Sequence, residues 1–264
     1  MQSKIIVILT IFLNISGVCQ TDFQKYFDNC KVKGSISIYN TRTKKWIISD
    51  SVEFKKPTTP ASTFKIPNSI IALKTGVIKD ENEIIKWDGV KRNNPEWDKD
   101  TDLRHAFKNS TVWFYQELAR RIGIENYKKY LKEFDYGNQQ ISKVDTFWLD
   151  ESLQITPEQE IKFLRKFFSY SISIPVSVIE KVKDIMTEET TDSYTLRCKT
   201  GWGTENKNNL WVGWWVGWVK TDSTVYYFAT RIYKNKNEEL GNFLQCRKDI
   251  TKQIFRDLGL VNFK

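Results

Sequence analysis

Histidine is almost missing from this chain. His105 is the single one in 264 residues, so a cluster of imidazole ligands for zinc is excluded by counting, and a Ser-His-Asp triad would have to use that one ring. Its setting, Leu103-Arg104-His105-Ala106-Phe107, reads as ordinary helix instead. Long apolar runs are also wanting: Ile5 to Ile15 falls well short of the roughly 20 residues that span a bilayer. Blocks of one charge are absent. Basic residues outnumber acidic ones, 41 to 32, but they come as scattered pairs such as Lys44-Lys45, Lys55-Lys56 and Lys128-Lys129, and none resembles a nucleic-acid-binding tail. The net charge of +9 therefore reads as a solvated basic surface, which would also suit a small anionic substrate. No repeat or long linker is evident. With 40% hydrophobic and 14% aromatic residues, the chain predicts one or two closely packed domains with a substantial core.

Cysteine is sparse and unevenly placed. Met1 to Lys4 is a short positive region, Ile5 to Ile15 is apolar, and Ser16-Gly17-Val18-Cys19 offers small residues to a signal peptidase. Residues 1–19 thus read as a signal peptide, which predicts a periplasmic or secreted protein that is free of the membrane after cleavage. A retained anchor is the alternative, and a lipid-bearing Cys19 is weakened by the bulk of Val18 before it. Cleavage after Cys19 leaves Cys30, Cys198 and Cys246, an odd number that allows at most one disulfide within the chain. The pair stays open.

What the chain does have is a hydroxyl beside an amine. In Pro60-Ala61-Ser62-Thr63-Phe64-Lys65-Ile66-Pro67-Asn68-Ser69, a helix beginning near Ser62 would set residues i and i+3 on one face and bring the Lys65 amine to the Ser62 hydroxyl. Serine needs such a neighbour to take its proton, and the N–H groups of a helix start favour a developing oxyanion. A lone Ser-x-x-Lys is often an ordinary capped helix, so the surroundings decide. Lys33 to Tyr39 and Lys45 to Ser49 read as a β-hairpin around Asn40-Thr41-Arg42-Thr43. From Thr63 to about Glu189 the apolar spacing is mainly helical, with a capping box at Thr156-Pro157-Glu158-Gln159. Strands return at Ser193 to Thr200, Leu210 to Val219 and Thr224 to Tyr233, and an amphipathic helix, Asn242 to Leu258, closes the chain. First and last segments then belong to one sheet, interrupted by a helical insert. In the tryptophan-rich strand, Val212, Trp214, Val216 and Trp218 alternate onto one face as plain core.

Four further stretches bear on Ser62: Ser110-Thr111-Val112, Tyr136-Gly137-Asn138, Phe147-Trp148-Leu149 and Lys199-Thr200-Gly201. In this order they resemble the serine β-lactamases and penicillin-binding proteins, where Ser-x-x-Lys, a Ser-x-Asn or Ser-x-Val triplet and Lys-Thr-Gly converge on one cleft. Val112 and Tyr136-Gly137-Asn138 narrow the resemblance to class D β-lactamases, the oxacillinase group. It extends through Ile85-Lys86-Trp87-Asp88-Gly89, Trp214-Trp215-Val216-Gly217-Trp218 and Arg247-Lys248-Asp249-Ile250. One departure is Asp150-Glu151, where the family often has an acidic residue and then glycine. It bears on the shape of that loop.

The resemblance implies an α/β (α+β) fold: a mixed, mostly antiparallel sheet flanked by helices, plus a helical domain. Residues 20–264 would form one transpeptidase-like unit, its sheet part about 20–59 and 190–264 and its helical part about 60–189. It further implies that Ser62 is acylated, that its own N–H and that of Trp202 form the oxyanion hole, and that Lys65 carries a CO2-derived carbamate as general base. Trp148 would hold the carbamate and Val112 keep the lysine pocket dry. Ser110 would relay a proton to the leaving nitrogen. Lys199, Thr200 and Gly201 would line the opposite wall, and Arg247 would pair with the substrate carboxylate. No metal or other cofactor is implied. The partner is a β-lactam, with no nucleic acid, and the protein would be a monomer or dimer. The rivals are a β-lactam sensor, which would need membrane helices and a zinc protease segment, and a penicillin-binding protein, which usually keeps asparagine where Val112 stands. Substrate spectrum is not readable from the chain.

Overall fold

The computed structural model describes residues 18–20 and 23–263. Of the expected signal peptide, residues 1–17 lie outside the described residues. The β-branched and aromatic runs build one seven-stranded sheet from β1 (Val18–Gln20), β2 (Lys33–Asn40), β3 (Lys45–Ile48), β4 (Thr187–Thr190), β5 (Thr195–Glu205), β6 (Leu210–Lys220) and β7 (Val225–Asn235). Their spatial order is β1-β3-β2-β7-β6-β5-β4. β1 runs parallel to β3 and every other neighbouring pair is antiparallel. The expected hairpin is therefore present, and Asn40 Oδ1 closes its turn by accepting from the N–H groups of Arg42 and Thr43 at 2.9 and 3.1 Å. On its other side β2 takes β7 as neighbour, with Lys33 opposite Tyr233.

Helices α1 (Gln24–Asn29), α2 (Ser51–Lys55), α3 (Lys65–Thr75), α4 (Leu103–Lys108), α5 (Val112–Ile122), α6 (Ile124–Phe134), α7 (Pro157–Phe168), α8 (Val176–Ile185) and α9 (Phe243–Asp257) complete the chain. The expected capping box starts α7: Thr156 Oγ1 accepts from Gln159 N, and Gln159 Oε1 from Thr156 N, each at 3.1 Å. Among the described residues no helix is long and apolar enough to cross a membrane. The sheet separates two cores. Val212, Trp214, Val216 and Trp218 of β6 face the one built with α3, α5 and α7, while Trp215 and Val219 face the one built with α1 and α9. Each fully buried aromatic side chain there contributes on the order of 2–3 kcal/mol.

Two features were not legible beforehand. Trp202 to Leu210 reads in sequence as loop, yet β5 continues through Glu205, because β6 satisfies its backbone in an unbroken antiparallel ladder ending at Glu205 opposite Leu210. The disulfide joins Cys30 to Cys246 with Cα atoms 6.0 Å apart, fastening the end of α1 to α9. Cys198 stays free and buried, its thiol pushed up to about 12 by burial.

Candidate active site

The nucleophile lies in a 3-10 turn, Ala61–Phe64, that runs directly into α3 at Lys65. Three residues per turn eclipse positions i and i+3, so Lys65 Nζ donates to Ser62 Oγ at 3.1 Å. The spacing predicts an α-helix from about Ser62; the tighter turn makes the same pairing. Ala61, just ahead, holds φ 49°, a left-handed conformation that costs about 1–2 kcal/mol in a residue with a side chain. Neighbours enforce it. Ala61 N and Thr59 Oγ1 both donate to Trp148 O, at 3.1 and 3.0 Å, and Trp214 Nε1 donates to Thr59 O at 3.0 Å.

β5 lies across this turn. A Cβ at Gly201 would stand 3.0 Å from Pro60 O and Thr63 Cγ2, and one at Gly203 would stand 3.0 Å from Ala61 Cβ, so a side chain at either position would press on the turn and make it give by a few tenths of an ångström. From Lys199 to Glu205 the strand pairs with β6 on one side only, which leaves an edge beside Ser62. Ser62 itself is 7% exposed, more enclosed than a free surface hydroxyl.

Two buried lysines face the turn. Lys65 is 1% exposed, its Nζ lies 4.8 Å from the centre of the Tyr115 ring, and among the described residues no carboxylate pairs with it. Burial, and then the charge of Lys199, hold its pKa well below that of an ordinary lysine. Lys199 is 5% exposed and donates to Ser110 Oγ at 2.6 Å and to Thr200 O at 3.1 Å. Burial, aided by the charges of Arg247 and Lys248, lowers it to about 7. Ser110 sits between α4 and α5 in a left-handed conformation, φ 54°, and half-buried Val112 opens α5.

Arg247 is buried on the inner face of α9, not on the surface that a helix arginine suggests, and donates from Nη1 to Gly201 O at 2.8 Å. Burial lowers it to about 10, and its Nε has no partner among the described residues. Trp148 stacks on Phe64 with ring centres 5.6 Å apart, and its Nε1 is likewise buried without a partner there. Trp202 is 43% exposed, its ring 5.3 Å from that of Trp211. His105 takes no part: its ring bonds Asp102, the N-cap of its own helix, at 2.8 Å. Among the described residues no cluster of His, Cys, Asp or Glu could hold a metal.

Several neighbours of the site carry no signal in the local pattern. Tyr115 shares a bond with Ser69 Oγ at 2.9 Å, and Ser69 donates to Lys65 O at 2.7 Å, so the ring over Lys65 is fixed in place. Arg231 of β7 is wholly buried: Nη2 donates to Glu53 Oε2 at 2.7 Å, and Nη1 donates to Lys56 O at 2.7 Å and Thr58 Oγ1 at 3.2 Å. Glu160 of α7 is also wholly buried, accepts from Tyr136 Oη at 2.9 Å, and is raised to about 7 by burial. Its signal was there to read: Glu160, Phe163, Leu164 and Phe167 follow helical spacing, which puts a carboxyl on an apolar stripe.

The family model described as a penicillin-binding protein transpeptidase domain matches residues 34–258. Beta-lactamase OXA-48 of Klebsiella pneumoniae is 38% identical over 237 residues, covering 89% of this chain and 87% of that protein. Beta-lactamase OXA-10 of Pseudomonas aeruginosa is 37% identical, covering 91% and 90%. Among solved structures, the class D β-lactamase of Sebaldella termitidis superposes with TM-score 0.88 at 45% identity, covering 93% and 98%. The C-terminal domain of the BlaR penicillin receptor of Bacillus licheniformis gives 0.87 at 32% identity, covering 95% and 100%.

Proposed function

The chain belongs to the class D β-lactamases, and from that membership we propose how its own residues open the β-lactam ring. It is a serine β-lactamase that hydrolyses β-lactam antibiotics, the chemistry of resistance. Ser62 Oγ attacks the strained lactam carbonyl and yields its proton to the Lys65 side chain, 3.1 Å away. The N–H groups of Ser62 and Trp202 receive the oxyanion, a role supported by the close seat of β5 on the turn. Ser110, bonded to Lys199, passes a proton to the leaving nitrogen. Lys199, Thr200 and Gly201 form the facing wall, Val112 limits water at the lysine, and Arg247 offers its unpaired Nε to the substrate carboxylate. The cleft so formed lies between the sheet part, about 20–59 and 190–264, and the helical part, about 60–189. The first 19 residues are read as a signal peptide for export.

The observation that carries the mechanism is a buried amine, hydrogen-bonded to the nucleophile, with no carboxylate partner among the described residues. Burial favours the neutral amine, which is the form that adds carbon dioxide, and Trp148 Nε1 is a buried donor in want of an acceptor. The residues therefore fit a carbamate on Lys65, with Trp148 to hold it; when present it supplies a carboxylate base at that position. Activity is expected to rise with added bicarbonate, and Trp148→Ala to lose turnover. A carbonate-free preparation that stays fully active, with no mass of carbon dioxide on Lys65, would contradict the carbamate. Mixing the protein with excess penicillin and following intact mass separates hydrolase from sensor. Return of free protein after many equivalents of penicilloate supports the enzyme, whereas one equivalent consumed and a lasting adduct on Ser62 would defeat it.

A further inference from the structure

The disulfide closes beside a residue of the cleft. Cys246 directly precedes Arg247 near the start of α9, and its partner Cys30 caps the end of α1, just ahead of β2. Phe27 and Val32, buried on either side of Cys30, root that end of the bond in the sheet. The start of α9 is less secure. Residues 237–239 and 241–242 before it are exposed, and Asn242 at the N-cap gives the helix no side-chain bond. A helix start without a cap frays at low cost. Farther along, Ile250, Ile254 and Phe255 are buried and Thr251 shares a bond with Thr230 of β7 at 2.5 Å, so packing holds the rest of α9. From residue 243 to 249 only Phe243, Cys246 and Arg247 are buried.

Arg247 pulls against this seat. It is 8% exposed, its Nη1 donates to the carbonyl of Gly201 at 2.8 Å, its Nε has no partner, and no carboxylate pairs with it among the described residues. A buried cation so sparsely matched is drawn towards water, and fraying of the first turns would release it. The bond at Cys246 is the covalent restraint against that release.

We propose that the Cys30–Cys246 disulfide is a positioning device for Arg247: by pinning the uncapped start of α9 it keeps the guanidinium in the cleft, where it meets the substrate carboxylate. The proposal rests on the role given to Arg247 above. It adds a redox dependence to that role, since a dithiol that gives two electrons and two protons to the bond leaves two cysteine thiols and becomes a cyclic disulfide itself.

Cys30→Ser cuts the bond at its half-buried end and leaves Cys246 in place. Below the melting transition, KM for benzylpenicillin is expected to rise about fivefold in this variant, with kcat within about twofold of the wild type. Wild type reduced with dithiothreitol is expected to behave alike until reoxidation restores its KM. The discriminating arm adds Arg247→Ala. If the bond acts through Arg247, cutting it in that background moves KM by less than about 1.5-fold, whereas a general loosening raises KM in both backgrounds. An unchanged KM in Cys30→Ser and in reduced wild type, equal increases with and without Arg247, or a loss confined to kcat overturns the proposal. A chain that no longer folds without the bond overturns it as well, because the bond then serves the fold rather than the arginine. Arg247→Ala with the bond intact tests the reading beneath: a KM equal to that of the wild type removes the carboxylate partner, and the proposal with it. If the wild type is acylated without turnover, the concentration dependence of adduct formation on Ser62 replaces KM and the comparison stands.

Discussion

Arg231 and Lys65 are buried to almost the same depth, 0% and 1% exposed, and the fold treats them oppositely. Arg231 has a carboxylate from Glu53, a carbonyl from Lys56, a hydroxyl from Thr58 and a tryptophan face 5.0 Å away. Lys65 has one serine hydroxyl, an aromatic ring and a repelling lysine. A guanidinium cannot shed its proton under ordinary conditions, so Arg231 is buried beside a carboxylate, with acceptors for both terminal nitrogens although its Nε has no partner among the described residues; an amine can shed its proton, so burial without a carboxylate yields a base. A buried cation held by a carboxylate fixes structure, and a buried amine without one is a reagent.

The largest effect that tests this contrast is loss of the amine. Lys65→Met is expected to lower turnover on the order of 10⁴-fold while leaving the melting temperature unchanged or higher, since it strands no buried ion. Steady-state hydrolysis and calorimetry on one preparation measure both, and a melting temperature that falls with activity would erase the distinction. Arg231→Met should do the reverse. Leaving Glu53 with only the more exposed Lys56, 3.2 Å away, and the Tyr233 hydroxyl is expected to cost about 3 kcal/mol in denaturant unfolding, with Ser62 still acylated below the transition. Acylation lost in a folded variant would move Arg231 into the chemistry. The smallest effect sharpens the contrast with a third group. Glu160 has a folded pKa of about 7, raised above the roughly 4.3 of a free carboxyl, so the folded state holds the proton more tightly. The stability this gives is complete below about pH 4 and is lost as pH rises through 7; Glu160→Gln should therefore match the wild type at pH 4 and exceed it by about 2 kcal/mol at pH 8.5. Parallel unfolding curves at the two pH values check it, and a variant weaker at pH 8.5 would show that the anion finds unseen support.

The local part of this design was legible and the non-local part was not. Ser62 and Lys65 meet because they are three residues apart, and either helical geometry brings them together. The alternation in β6 and the capping box of α7 were equally local, and both form where the pattern puts them. Arg231 lies in a run that reads as ordinary strand, and its partner Glu53 is 178 residues away, so nothing in the pattern announces the pair. The disulfide stayed open for the same reason, since a separation of 216 residues leaves no sequence signal for choosing among three thiols. Glu151 stands out in the sequence as a departure, but its backbone conformation and its reach to Asn206 belong to the folded loop alone.

The order of the strands sets a timetable for synthesis. A ribosome releases β2 and β3 early, yet their neighbour β7 ends at Asn235, and Cys30 must wait for Cys246. The helices from Lys65 to Ile185 are contiguous and can settle first, as local contacts form faster than distant ones. A nascent chain that stops short of Thr195 thus carries its serine and lysine without the facing strand or Arg247. Such a chain is expected to be blind to penicillin, with reactivity arriving only as the last helix is released.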